Sequence, residues 1–125
     1  MNAQFSDRLY DIARQKPEGF TFNPLTNTFP TKGYVVAASA TQDCFGKQGL
    51  YRIIKYCLNH AGYCIGGWKN EMGTMQFDAS RVFFDIKDAI QAAIENGQRA
   101  IFDLYRGVEI MACDYSLFQS GTFAA

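Results

Sequence analysis

Histidine is almost missing from this 125-residue chain, which has one, His60, beside one tryptophan and three prolines. A single imidazole excludes paired-histidine metal sites and leaves one residue for proton transfer near neutral pH. The four cysteines, Cys44, Cys57, Cys64 and Cys113, form no Cys-x-x-Cys pair. So few in a chain long enough to bury a core read as free, packed thiols rather than a disulfide framework. No apolar run nears the ~20 residues that span a bilayer, and the first residues lack the basic-then-apolar order of an export signal. The expected location is therefore cytoplasmic, without a membrane. Neither sign of charge dominates: 12 Lys plus Arg oppose 12 Asp plus Glu, which excludes a uniformly basic nucleic-acid binder.

What is present is apolar: 48% of residues are hydrophobic and 15% aromatic, enough for one domain spanning 1–125. Ser6 is placed to cap a helix ending near Gln15, with Phe5, Leu9, Ile12 and Ala13 on one face. Phe20 to Phe22 reads as a short strand and Asn23 to Asn27 as a turn. Gly33 to Ala38 reads as a strand covered on both faces. Leu50, Ile53, Ile54, Cys57, Leu58 and Ala61 form one helical stripe, stopped by Gly62. Tyr63 to Lys69 and Thr74 to Phe77 form a hairpin across Asn70 to Gly73. Asp85 is placed to cap a third helix, with Ile86, Ala89, Ile90, Ala93 and Ile94 inward and Asn96-Gly97 at its end. Ala100 to Leu104 and Val108 to Met111 make a last hairpin. The order predicts an α+β fold, an antiparallel sheet of four to six strands with two or three amphipathic helices on one face.

Chemistry is sparse. His60 falls in the last turn of its helix, where a cation favours the dipole, so capping accounts for it. Cys44 lies before the same helix, about 20 Å from His60 at 1.5 Å per residue, too far for a nucleophile and base. Cys57, His60 and Cys64 have packing or capping roles and a spacing unlike zinc motifs. Gly66-Gly67 belongs to no phosphate-binding loop and instead allows a bulge or close packing under a neighbouring side chain. No metal and no cofactor is expected. Charge is unevenly spread: from Tyr34 to Asn70, Lys47, Arg52, Lys55 and Lys69 face Asp43 alone, an excess of +3. From Glu71 to Met111 seven acids oppose four bases, an excess of −3. Such polarity either solvates helix faces or steers a charged protein partner. The insertion from Ser39 to Gly46 is longer than a strand-to-helix connection needs, which points to binding through Gln42, Asp43 and Phe45, although Phe45 also serves as a core cover. Residues 112–125 form an aromatic tail with Tyr115, Leu117, Phe118 and Phe123.

Five segments carry a resemblance: Gly33-Tyr34-Val35-Val36, Thr41 to Leu50, Gly66-Gly67-Trp68, Phe77 to Phe83 and Asn96 to Leu104. Over about Glu18 to Ile110 the chain resembles a family of small proteins and domains carried by phages and mobile elements of gut bacteria. In size and character it is similar to anti-CRISPR inhibitors. The resemblance implies an accessory role against host defence, with a host defence protein, such as a CRISPR effector nuclease, as partner, and no catalytic residues. An acidic face occupying a basic nucleic-acid channel would use Glu71, Asp85, Asp88 and Glu95. With Gln42, Asp43, Phe45 and Trp68 these are the candidate partner-binding residues. Two other readings stand beside this one: a nucleic-acid-associated module using Lys47, Arg52, Lys55, Lys69 and a stacking Trp68, and a thiol-dependent enzyme centred on Cys44.

Overall fold

A computed structural model describes residues 3–16, 18–39 and 43–114. Their elements are α1 (Ala3–Gln15), β1 (Phe20–Phe22), β2 (Tyr34–Ala37), β3 (Cys44–Phe45), α2 (Gly46–Asn59), β4 (Cys64–Lys69), β5 (Met75–Phe83), α3 (Ile86–Glu95), β6 (Ala100–Asp103) and β7 (Val108–Met111). The sheet is antiparallel and has seven strands in the order β1-β4-β5-β2-β6-β7, with β3 pairing β5 as well. The α+β class is as expected, and the strand beyond the expected range is β3. The run β2-α2-β4-β5-α3-β6 holds the spatial order β4-β5-β2-β6, in which each helix links strands separated by one other. This is the split β-α-β arrangement of ferredoxin-like topology. Crossovers of this kind place both helices on one side of the sheet.

Register and alternation divide the residues between the two faces. Along β5, Met75, Phe77 and Ala79 belong to a buried cluster with Leu9, Ala13, Leu50, Ile53 and Ile54 of α1 and α2. Phe83 on the same strand, with Tyr34 and Val36, packs with Ala89, Ile90 and Ala93 of α3. Because Tyr34 lies opposite Phe83 and side chains alternate with period two, Tyr34, Val36 and the odd positions of β5 share the helix-covered face. Arg81, between the two clusters, lies over the rings of Tyr63 and Phe83, 6.0 and 4.9 Å from their centroids. The even positions, Gln76, Asp78, Ser80 and Val82, point to the face opposite α1, α2 and α3, where Ser80 is buried.

Several local expectations are corrected. Ser6 is a buried residue inside α1, not its cap. Packing Phe5 against Phe22, ring centroids 6.2 Å apart, extends the helix a turn upstream. Leu58 is 54% exposed and Ala61 lies outside α2, which ends at Asn59. Cys57 is the last residue of its buried face, and its thiol donates to the Cys64 carbonyl at 3.5 Å. Ile94 is likewise exposed. On β2, Val36 is buried under α3, and Val35 and Ala37 on the other face are half-buried beside buried Ser80. Asp85 does cap α3, its Oδ1 accepting from the Lys87 amide at 2.8 Å. Gly97 closes the same helix in the left-handed region, with its amide and that of Gln98 returned to Ile94 and Ala93.

Candidate functional site

The site forms where the sheet face opposite α1, α2 and α3 meets the β3 edge. Phe45 of β3 and Trp68 of β4 are both registered opposite Gln76 of β5, so the three form one row across three strands. Strand spacing puts the Phe45 and Trp68 backbones about 10 Å apart with Gln76 between them. Each aromatic ring is 41% exposed. Met72, in the β4 to β5 turn beyond Trp68, is 87% exposed. Two exposed acids lie close by in the chain: Asp43, two residues before Phe45 with φ of 61°, and Glu71 beside Met72. Neither has an ion pair among the described residues.

The row is held from below. Gly49 of α2 lies against the Cys44 backbone so closely that an added Cβ would sit 2.5 Å from the Cys44 carbonyl carbon. Cys44 itself is 2% exposed and faces the core opposite Phe77. That contact anchors β3 and turns Phe45 outward. Under Trp68, the two glycines act as expected. Gly67 packs beneath the Phe20 ring and against Phe77, and Gly66 lies beneath the Asp78 carboxyl. The turn that presents Met72 is closed by Asn70, whose side-chain oxygen accepts from the Met72 and Thr74 amides.

Asp78 lies next along the face and was not singled out by sequence. Burial pushes its carboxyl above the usual carboxylate range, while the Ser80 hydroxyl, donating to Oδ1 at 2.6 Å, pulls it down. Alternation of Asp78 and Ser80 with buried Phe77 and Ala79 was the only available signal. Asp103 behaves oppositely. Arg106 Nε donates to its Oδ2 at 2.8 Å and holds the carboxyl below its usual range, and the Tyr105 and Arg106 amides bind its other oxygen.

The sequence candidates fall on separate surfaces. Register brings Phe45 and Trp68 into one row, with Asp43 two residues before Phe45 and Glu71 three residues after Trp68. Asp85, Asp88 and Glu95 lie on α3, on the opposite side of the sheet, with Lys87 among them. The expected continuous acidic face from Glu71 to Glu95 is therefore divided, because the crossover to α3 carries it across the sheet. Gln42 and the aromatic residues of the tail lie outside the described residues. No family, curated protein or solved structure matches the chain. The basic candidates also separate: Lys47, Arg52 and Lys55 are on α2, whereas Trp68 faces away from the helices. His60 caps α2 as expected, its ring nitrogen Nδ1 bonded to the Tyr56 carbonyl at 2.8 Å. Among the described residues no cluster of three His, Cys, Asp or Glu could hold a metal ion, and no helix is long and apolar enough to cross a membrane.

Proposed function

We propose that this chain is a non-catalytic partner-binding protein, an accessory protein of a phage or mobile element that docks on a host defence protein and blocks it. The observation that carries the reading is the Phe45–Gln76–Trp68 row with Met72, an apolar surface with Asp43 and Glu71 close by in the chain. Rings presented on rigid strands lose little conformational freedom on binding, and aromatic residues dominate interface energetics. These two acids fit a partner with arginine or lysine around an apolar centre, as at the rim of a basic nucleic-acid channel. The α3 acids are a weaker choice because Lys87 offsets them. The host-defence partner, with CRISPR effector nucleases as its first representatives, follows from the family resemblance in the sequence.

A cleavage assay over a panel of effector nucleases tests this reading. Stoichiometric loss of cleavage by at least one effector is expected. Unchanged cleavage by all of them, at protein concentrations up to 10-fold over effector, would refute the host-nuclease assignment.

A further inference from the structure

Helix α2 contains Lys47, Arg52 and Lys55 and no acid. Lys47 is 3.8 Å from Asp7, an exposed and therefore weak pair. Arg52 and Lys55, one turn apart, have no carboxylate partner among the described residues. Both line a groove of about 340 Å³ together with Cys44, Ile53, Tyr56, Asn59 and His60. That volume is at the low end of the ~300–1,000 Å³ of small-ligand sites and suits one nucleotide unit.

The rest of the lining supplies complementary chemistry. A carbonyl oxygen only accepts, so the bond to Tyr56 requires the proton on His60 Nδ1 and leaves Nε2 unbonded. The imidazole is stacked on the Tyr56 ring, centroids 3.9 Å apart and planes within 13°, with the Tyr63 ring edge-on at 6.3 Å, and the residue is exposed. Asn59 spends an amide hydrogen on the Lys55 carbonyl at 3.0 Å, which leaves its oxygen as an acceptor. Paired cations beside a fixed aromatic ring and amide acceptors are the elements that hold unpaired nucleotides.

We propose that this groove holds a single-stranded nucleic-acid segment, with Arg52 and Lys55 on its phosphates and the Tyr56–His60 stack beneath a base. The site goes beyond the partner-binding surface and rests mainly on α2, with Cys44 of β3 as its one lining residue beside the row. Trp68 takes no part because it faces away from α2.

Fluorescence anisotropy with labelled 12-nucleotide RNA and DNA strands tests the site, using the full chain. Two phosphate contacts on a single strand predict a log–log salt slope near −1.4, an affinity loss of about 7-fold between 50 and 200 mM salt. R52A/K55A should lower affinity at least 10-fold and flatten the slope, whereas K87A, which removes an exposed charge from α3, should leave both unchanged. H60A should weaken binding about 10-fold with the slope retained. Stronger binding of RNA or of DNA identifies which strand is held. Absence of binding at 50 mM salt, or equal losses from R52A/K55A and K87A, would overturn the proposal. Circular dichroism of each variant confirms that it is folded.

Discussion

Replacing Gly49 with alanine sets two effects against each other. Gly49 has ordinary helical backbone inside α2, where alanine is favoured by about 1 kcal/mol. On propensity alone the change should stabilise the protein. The added methyl, however, would lie 2.5 Å from the Cys44 carbonyl carbon and 3.1 Å from both its Cα and its oxygen. All three are backbone atoms, so no rotamer change relieves them; helix and strand must separate. Overpacking of this kind costs about 1–3 kcal/mol, and more where backbone moves. The clash outweighs propensity, and we expect a net loss of about 1–2 kcal/mol, a Tm lower by roughly 4–8 °C for a domain of this size. Urea and thermal unfolding followed by circular dichroism measure it. A Gly49→Ala protein as stable as the parent, or more so, would refute the packing that is held to anchor β3.

Gly66→Ala offers a contrast, since its methyl would meet the end of the Asp78 side chain rather than backbone. The cost should largely vanish in a Gly66→Ala/Asp78→Ala background, a coupling of about 1 kcal/mol in a double-mutant cycle; additive losses would contradict the contact. Asp78 and Asp103 also predict opposite pH effects. The raised Asp78 carboxyl contributes stability present below its unfolded value near ~4 and lost as pH rises through its folded value. The lowered Asp103 contributes stability present above ~4 and lost as pH falls through its own folded value. Asp78→Asn should therefore remove a decline on the rising side and Asp103→Asn a decline on the acid side, both read from urea midpoints across pH. Thiol titration with an aromatic disulfide should find Cys113 alone reactive in the native protein. Cys44, Cys57 and Cys64 are buried, and burial, with Cys64 and then Asp78 adding, pushes the Cys57 thiol up to about 12. Rapid reaction of more than one thiol would contradict that packing.

Much of the fold is legible because local chemistry and tertiary packing agree. In α3, the inward stripe, the Asp85 cap and the Gly97 stop all specify the same boundaries, and the structure keeps them. The β4 to β5 hairpin is equally plain, from Asn70 and Gly73 at its turn. Strand β5 runs past its expected end at Phe77 to Phe83 because Asp78 and Ser80 occupy the face opposite α1, α2 and α3 while Phe77 and Ala79 fill the core. Strand β3 is illegible by pattern: two residues carry no periodicity, and they pair only because Gly49 lets α2 press on the Cys44 backbone. The site is half legible. Phe45 and Trp68 each attract notice as aromatic residues beside glycine, but their meeting depends on a shared register with Gln76. The acids of α3 look continuous with Glu71 along the chain and are carried to the other side by the crossover.

The most direct measurement is the ratio of inhibitory concentrations between a Phe45→Ala/Trp68→Ala variant and the parent, against an effector nuclease that the parent blocks. Each residue keeps more than half of its surface covered, so their removal should cost a few kcal/mol of folding stability, and circular dichroism establishes that the variant is folded before the ratio is read. A central aromatic contact is worth about 2 kcal/mol or more, and the ratio should reach at least about 30. A ratio near one, with the variant folded, would contradict the assignment of the row as the docking surface.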